Sequence, residues 1–110
     1  MIVYLPFIFI GSFQGMAIFP FIFVRYKHML YDKRLINHEK IHLRQQIELL
    51  WIFFFLWYLT EYLYNVVKYK NLQLAYKKIS FEKEAYANDL NFTYLKTRKM
   101  WNFLSYYKRV

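Results

Sequence analysis

Five consecutive residues, His38-Glu39-Lys40-Ile41-His42, have the types and spacing of a metal-dependent hydrolase. On an α-helix, positions i and i+4 lie one above the other on one face, so His38 and His42 can offer two imidazole nitrogens to a single ion. Glu39, beside the first of them, can reach a metal-bound water as general base. Zinc lowers the pKa of that water toward about 7 and polarises a carbonyl as a Lewis acid, which is the chemistry of amide and ester hydrolysis. A catalytic zinc takes three protein ligands and keeps its fourth position for water, so one more ligand is required. The chain has no Cys, which leaves Glu48, Glu61, Glu82, Glu84 and Asp89 downstream, and His28 upstream.

The His38-Glu39-x-x-His42 motif, followed by a segment opening Phe81-Glu82-Lys83-Glu84-Ala85-Tyr86-Ala87, resembles the gluzincin metallopeptidases. Within them it is most similar to the membrane-embedded CAAX prenyl protease and HtpX-like families. The resemblance implies a zinc peptidase with Glu39 as the catalytic base, His38, His42 and Glu82 as metal ligands, and a peptide or protein as substrate. Glu82 then comes from a second helix, Ala85 fills the small position, and Tyr86 stands where the families carry an Asp that orients a ligand histidine. Glu84 is the alternative third ligand; Asp89, Asn88 or Glu84 is available to replace the missing Asp, since partners of that kind set ligand geometry. Arg44, Tyr86 or another Tyr are the candidates for stabilising an oxyanion. The competing function is a non-catalytic membrane protein, or a subunit of a complex, with a structural or vestigial metal site.

The elements that must carry these residues are expected to be mainly α: a small membrane-associated zincin-like helical domain, with a short N-terminal strand or re-entrant segment. At 110 residues the chain is one domain. All of its 2 Gly and 2 Pro precede residue 21, which disfavours turn-rich β architectures. Residues 1–24 form an apolar membrane segment divided by Pro6, Gly11, Gly15 and Pro20. Residues 31–67 read as the motif helix, with Asp32 or Asn37 as cap, running directly into an apolar block at 49–60. Residues 80–110 read as a second-ligand helix capped by Ser80, then a basic aromatic tail of interfacial type.

Charge adds a location. There are 16 Lys and Arg against 7 Asp and Glu, a net +9, in a chain that is 58% hydrophobic and 25% aromatic. No charged side chain occurs before Arg25, so every basic residue follows the apolar segment. That asymmetry points to membrane lipid as partner, with the basic part and the active site facing the cytoplasm. No nucleic-acid module is present, so nucleic acid is not expected as a partner. A zinc site also constrains topology: were residues 35–67 one straight spanning helix, Glu82 would lie on the far side from His38. The chain is therefore expected to dip and turn back near Thr60 and Glu61. The segment Ile18 to Arg25 is the candidate edge strand for holding an extended substrate.

Overall fold

The computed structural model describes residues 1–9 and 13–107, and the chain is mainly helical with one small sheet. The apolar N-terminal segment forms strands, because its runs of Ile, Phe and Val between Gly and Pro are too short for a helix. They are β1 (Ile2–Tyr4), β2 (Gly15–Ile18) and β3 (Phe21–Val24), ordered β1-β3-β2. β1 runs parallel to β3 with Val3 opposite Phe23, and β2 runs antiparallel with Ala17 opposite Ile22. The expected edge strand was Ile18 to Arg25; instead β3 lies in the centre and β2 forms the edge beside the motif helix. Gly11 and the last three residues of the basic tail, Lys108, Arg109 and Val110, lie outside the described residues.

The motif helix, α1 (Lys33–Glu48), starts at Asp32, whose carboxylate accepts the Leu35 N–H at 3.1 Å and satisfies one of the orphan donors of the first turn. Asn37, the alternative cap, has another task. Its buried amide donates to the carbonyls of Asn88, Asp89 and Asn91, which fastens α1 to residues 88–91.

The continuous helix expected over 31–67 is broken. α1 ends at Glu48 and α2 (Ile52–Tyr69) leaves it at 113°, through Leu50 and Trp51 with φ of 53° and 64°. Side chains as large as these rarely adopt that region, and tertiary contacts hold them there. Leu49 is buried in an aromatic cluster with Phe54, Phe81 and Phe103. The Glu48 carbonyl at the end of α1 accepts the Trp101 indole N–H, and the Glu48 carboxylate accepts the Trp101 backbone N–H. The reversal thus falls at residues 49–51 and not at Thr60 and Glu61, where α2 continues unbroken. Among the described residues no single helix is long and apolar enough to cross a membrane.

After α2 the chain doubles back through α3 (Leu72–Lys77), capped by Asn71, and α4 (Ser80–Asn88). Ser80 is the first residue of α4 and not its cap. Glu61 of α2 accepts both the Ser80 N–H (2.8 Å) and its hydroxyl (2.6 Å), so a carboxylate from another helix complements the N-terminal dipole. A short α5 (Tyr94–Thr97) and a 3₁₀ turn at Asn102–Tyr106 follow. In this tail Phe103 and Tyr106 are buried in the core, while Trp101, Leu104 and Tyr107 are exposed. A second apolar cluster, Ile22, Val24, Met29 and Ile36, joins the sheet to α1. Between the two clusters, α1 is left with a buried polar face.

Candidate metal centre

That polar face consists of His38, His42, Gln45 and Gln46, at helical spacing on α1 and all buried. α4 packs across it with Glu82, Ala85 and Asp89 spaced i, i+3, i+7, and the fully buried Ala85 permits close approach. The three expected ligands come together. Glu82 Oε1 is 3.1 Å from His38 Nε2 and 3.0 Å from His42 Nε2, and the two Nε2 atoms are 3.2 Å apart. Three ligand atoms on a tetrahedral zinc with bonds of about 2.0–2.1 Å stand about 3.3 Å from one another, so this triangle nearly matches one tetrahedral face. A buried His38, His42, Glu82 group of this kind can hold a metal ion.

The other ring nitrogens decide the tautomers. His38 Nδ1 lies 3.1 Å from Asp89 Oδ2 and His42 Nδ1 lies 2.8 Å from Gln45 Oε1. Both partners accept, so both Nδ1 atoms donate to them and both Nε2 atoms are left to face the centre. Asp89 fills the role for which Asn88 and Glu84 were the other candidates. Arg34 Nε holds its second oxygen at 3.0 Å, while Tyr86 packs its ring edge-on against His38. Gln45 is oriented in turn, because its Nε2 donates to Glu84 Oε1 (2.9 Å) and to the Phe81 carbonyl (3.2 Å). Glu84 is therefore not a ligand. Its buried carboxylate accepts from Gln45, from the Tyr94 hydroxyl (2.6 Å) and from the Arg98 guanidinium, which also pairs with Glu48. Of the other ligand candidates, Glu61 caps α4 and His28 is exposed, stacked on Tyr26.

Glu39 occupies a different position. Although buried, it has no hydrogen-bond partner among the described residues, and it lines both ends of a cleft over the triad. One end, about 300 Å³, is polar, with Gln14, Asp32, Arg34 and Gln73 in its wall. The other, about 280 Å³, is apolar, with Met16, Ile18, Phe54 and Phe55. Gly15 of β2 forms the wall above Glu39, and a Cβ there would stand 3.0 Å from Glu39 Oε2 and 2.9 Å from Leu35 Cδ1. Tyr76 of α3 also lines both ends, its hydroxyl 3.0 Å from that of Tyr86 and its ring braced edge-on by Phe13. Tyr58 of α2 donates to Glu82 Oε2 at 2.6 Å, fixing the carboxylate so that Oε1 points at the imidazoles. Arg44 lines neither end.

β2 offers only part of its outer edge to this cleft. Its residues 14, 16 and 18 pair with β3, so Gly15, Ala17 and Phe19 turn their backbone groups outward. Gln46 occupies two of these: its amide accepts the Phe19 N–H and donates to the Ala17 carbonyl, both at 2.7 Å.

The ionisable groups respond to the crowding. Burial pushes the Glu39 carboxyl up, against the pull of His42 and His38. Burial works against a charged Glu82 as well, but the two imidazoles hold it well below the usual carboxylate range. For His42 burial pulls down and the adjacent Glu82 carboxylate outweighs it, leaving the imidazole pushed up to about 9. Burial and then Glu82 raise both Tyr58 and Tyr76, which stay neutral hydrogen-bond donors.

A stability prediction follows from His42. Its folded value of about 9 exceeds the ordinary 6.5, so the His42–Glu82 contact stabilises the metal-free fold fully below pH 6.5 and is lost as pH rises through 9. A bound metal reverses the sign, because it must displace the His42 proton and binds more tightly as pH rises. Thermal unfolding should show the metal-free midpoint falling between pH 6.5 and 9 and the gain from added zinc growing over the same window. A metal-free midpoint that does not move contradicts this electrostatic account.

Tyr58, Gln46 and Gly15 were not among the residues expected to form the site, and Tyr76 was covered only as an unspecified tyrosine. Helical spacing from His42 was an available signal for Gln45 and Gln46, whereas the two tyrosines and Gly15 arrive from other elements through tertiary packing. Comparison with protein-family models, with curated proteins and with solved structures finds no match for the chain.

Proposed function

We propose that the protein is a membrane-associated, zinc-dependent hydrolase of peptide bonds, with His38, His42 and Glu82 as ligands and Glu39 as general base. The observation that carries this is the convergence of two imidazole Nε2 atoms and a buried carboxylate oxygen within 3.2 Å of one another, with both Nδ1 atoms already committed elsewhere. A positive charge offsets the desolvation of these polar atoms, and a metal ion supplies it in place of the proton that His42 otherwise holds. Two nitrogens and one oxygen at near-tetrahedral spacing favour zinc. Three ligands beside an open cleft, rather than four in a closed one, favour catalysis over a structural role.

Zinc bound there supplies a water of lowered pKa and a Lewis acid for the substrate carbonyl. Glu39 takes a proton from the attacking water and delivers it to the leaving nitrogen, so the C–N bond breaks and the proton count balances. Its raised affinity for protons suits both halves of that task. The Tyr76 hydroxyl, kept neutral beside Glu39, is the donor best suited to a developing oxyanion. The Gly15 backbone groups and the Ala17 N–H remain for pairing with a short extended peptide, which favours a peptide over a small ester. The cationic, apolar exterior supports association with membrane lipid, and the basic residues following the apolar segment support a cytoplasmic face.

Hydrolysis of a mixed quenched-fluorescent peptide library by the zinc-loaded protein tests this reading. A zinc-loaded chain that cleaves nothing would turn the site into a structural one. Gly15→Ala is expected to crowd the Glu39 carboxylate and lower turnover by about ten-fold or more while leaving zinc content unchanged, since the added methyl lies against the base and not against a ligand. Wild-type turnover in that variant would show that Glu39 can move aside without cost.

A further inference from the structure

We propose that α2 docks flat on an anionic lipid surface through its outward face. At 100° per residue, Ile52, Leu56, Leu59, Leu63 and Val67 form one stripe along the whole helix, all exposed, Leu56 by 58% and Val67 by 77%. Phe53 and Tyr64, also exposed, widen it, and no charged residue interrupts it. A helix at a water-facing surface normally turns polar residues outward; here the outer face carries one hydroxyl, Thr60, turned back onto the Leu56 carbonyl at 2.8 Å, which marks an interaction site.

The charge of the exterior selects the occupant. Of the seven acids, Glu39, Glu82, Glu84 and Asp89 are buried. Glu48 is paired with Arg98, and Glu61 with Ser80 and Tyr107. Asp32, the one exposed acid, caps α1. The protein surface therefore presents Lys with almost no carboxylate, and Lys68 and Lys70 close the C-terminal end of the stripe. An apolar stripe set in such a field matches acyl chains under acidic headgroups, with the helix in the interface plane. The opposite face of α2 packs Phe54 and Tyr58 against Phe81, and Tyr58 reaches Glu82. Docking thus holds the cleft within about one helix diameter, ~10 Å, of the lipid.

This surface rests on the membrane part of the proposed function and not on its metal chemistry, so the two fail separately. Co-flotation with vesicles of phosphatidylcholine containing about a third phosphatidylglycerol should carry the wild-type chain. Leu56→Glu and Leu63→Glu, both on the exposed face, should each cut the bound fraction about ten-fold or more with zinc content unchanged. Tryptophan fluorescence of the wild type should be quenched by brominated acyl chains, and added salt should weaken binding. Equal binding by wild type and both variants would overturn the proposal. So would a wild-type chain that ignores vesicles and forms a dimer abolished by Leu56→Glu, which would assign the stripe to a second copy.

Discussion

Glu39→Gln should bind zinc as the wild type does and lose peptide hydrolysis by about 10²–10⁴-fold. The substitution keeps the shape of the side chain under Gly15, where there is no room to spare, and replaces a basic oxygen with an amide that takes no proton at neutral pH. The carboxylate has no hydrogen-bond partner among the described residues, so no structural contact is lost with it. The substitution also removes a charge that is costly to keep desolvated, and the variant should be as stable as wild type or slightly more so. Zinc titration, denaturation and library hydrolysis on the same preparation separate these effects. Turnover surviving in Glu39→Gln would move the base to another residue.

Arg98→Ala should destabilise the fold by about 3–5 kcal/mol, because it leaves the fully buried Glu84 carboxylate without its countercharge. The guanidinium side chain is itself fully buried and also holds Glu48, whose carbonyl and carboxylate secure Trp101 at the α1–α2 corner. The effect should reach the metal. Glu84 orients Gln45, and Gln45 fixes the His42 tautomer, so zinc affinity should fall although no ligand has changed. The pair Arg98→Met with Glu84→Met should recover much of the stability while zinc binding stays weakened, since an apolar pair fills the space but cannot orient an amide. Chemical denaturation and zinc titration check both parts; a loss below about 1 kcal/mol in Arg98→Ala would show that the ion pair does not hold this corner.

Local patterns made some elements legible and left others hidden. α1 announced itself through the i, i+4 histidines and the Asp32 cap, both properties of a single helix. Glu82 was reached only through the family resemblance, and the structure brings it to the histidines by way of α2 and α3 folding back. The corner at 49–51 left no trace in composition: Leu49, Leu50 and Trp51 continue the apolar run without Gly or Pro, and the turn depends on Trp101, fifty residues away. Asp89 stands seven residues after Glu82, whereas the resemblance led to an Asp four residues after it, so spacing alone could not select it over Asn88 or Glu84. Tyr58 sat in the apolar block at 49–60, where nothing in the pattern marks one hydroxyl for a polar partner. Its hydroxyl bond to Glu82 exists only because α2 turns that face inward. Among the strands, alternation was too short to show that β2, and not the segment after it, would form the edge.

Metal content of the purified protein, by elemental analysis of wild type beside His42→Ala and Glu82→Ala, tests the central claim most directly. Wild type should retain close to one zinc per chain after dialysis, and each variant should retain almost none. A metal-free wild type that takes up no zinc on titration, or zinc held equally well without Glu82, would contradict the assignment of this triad as a metal centre.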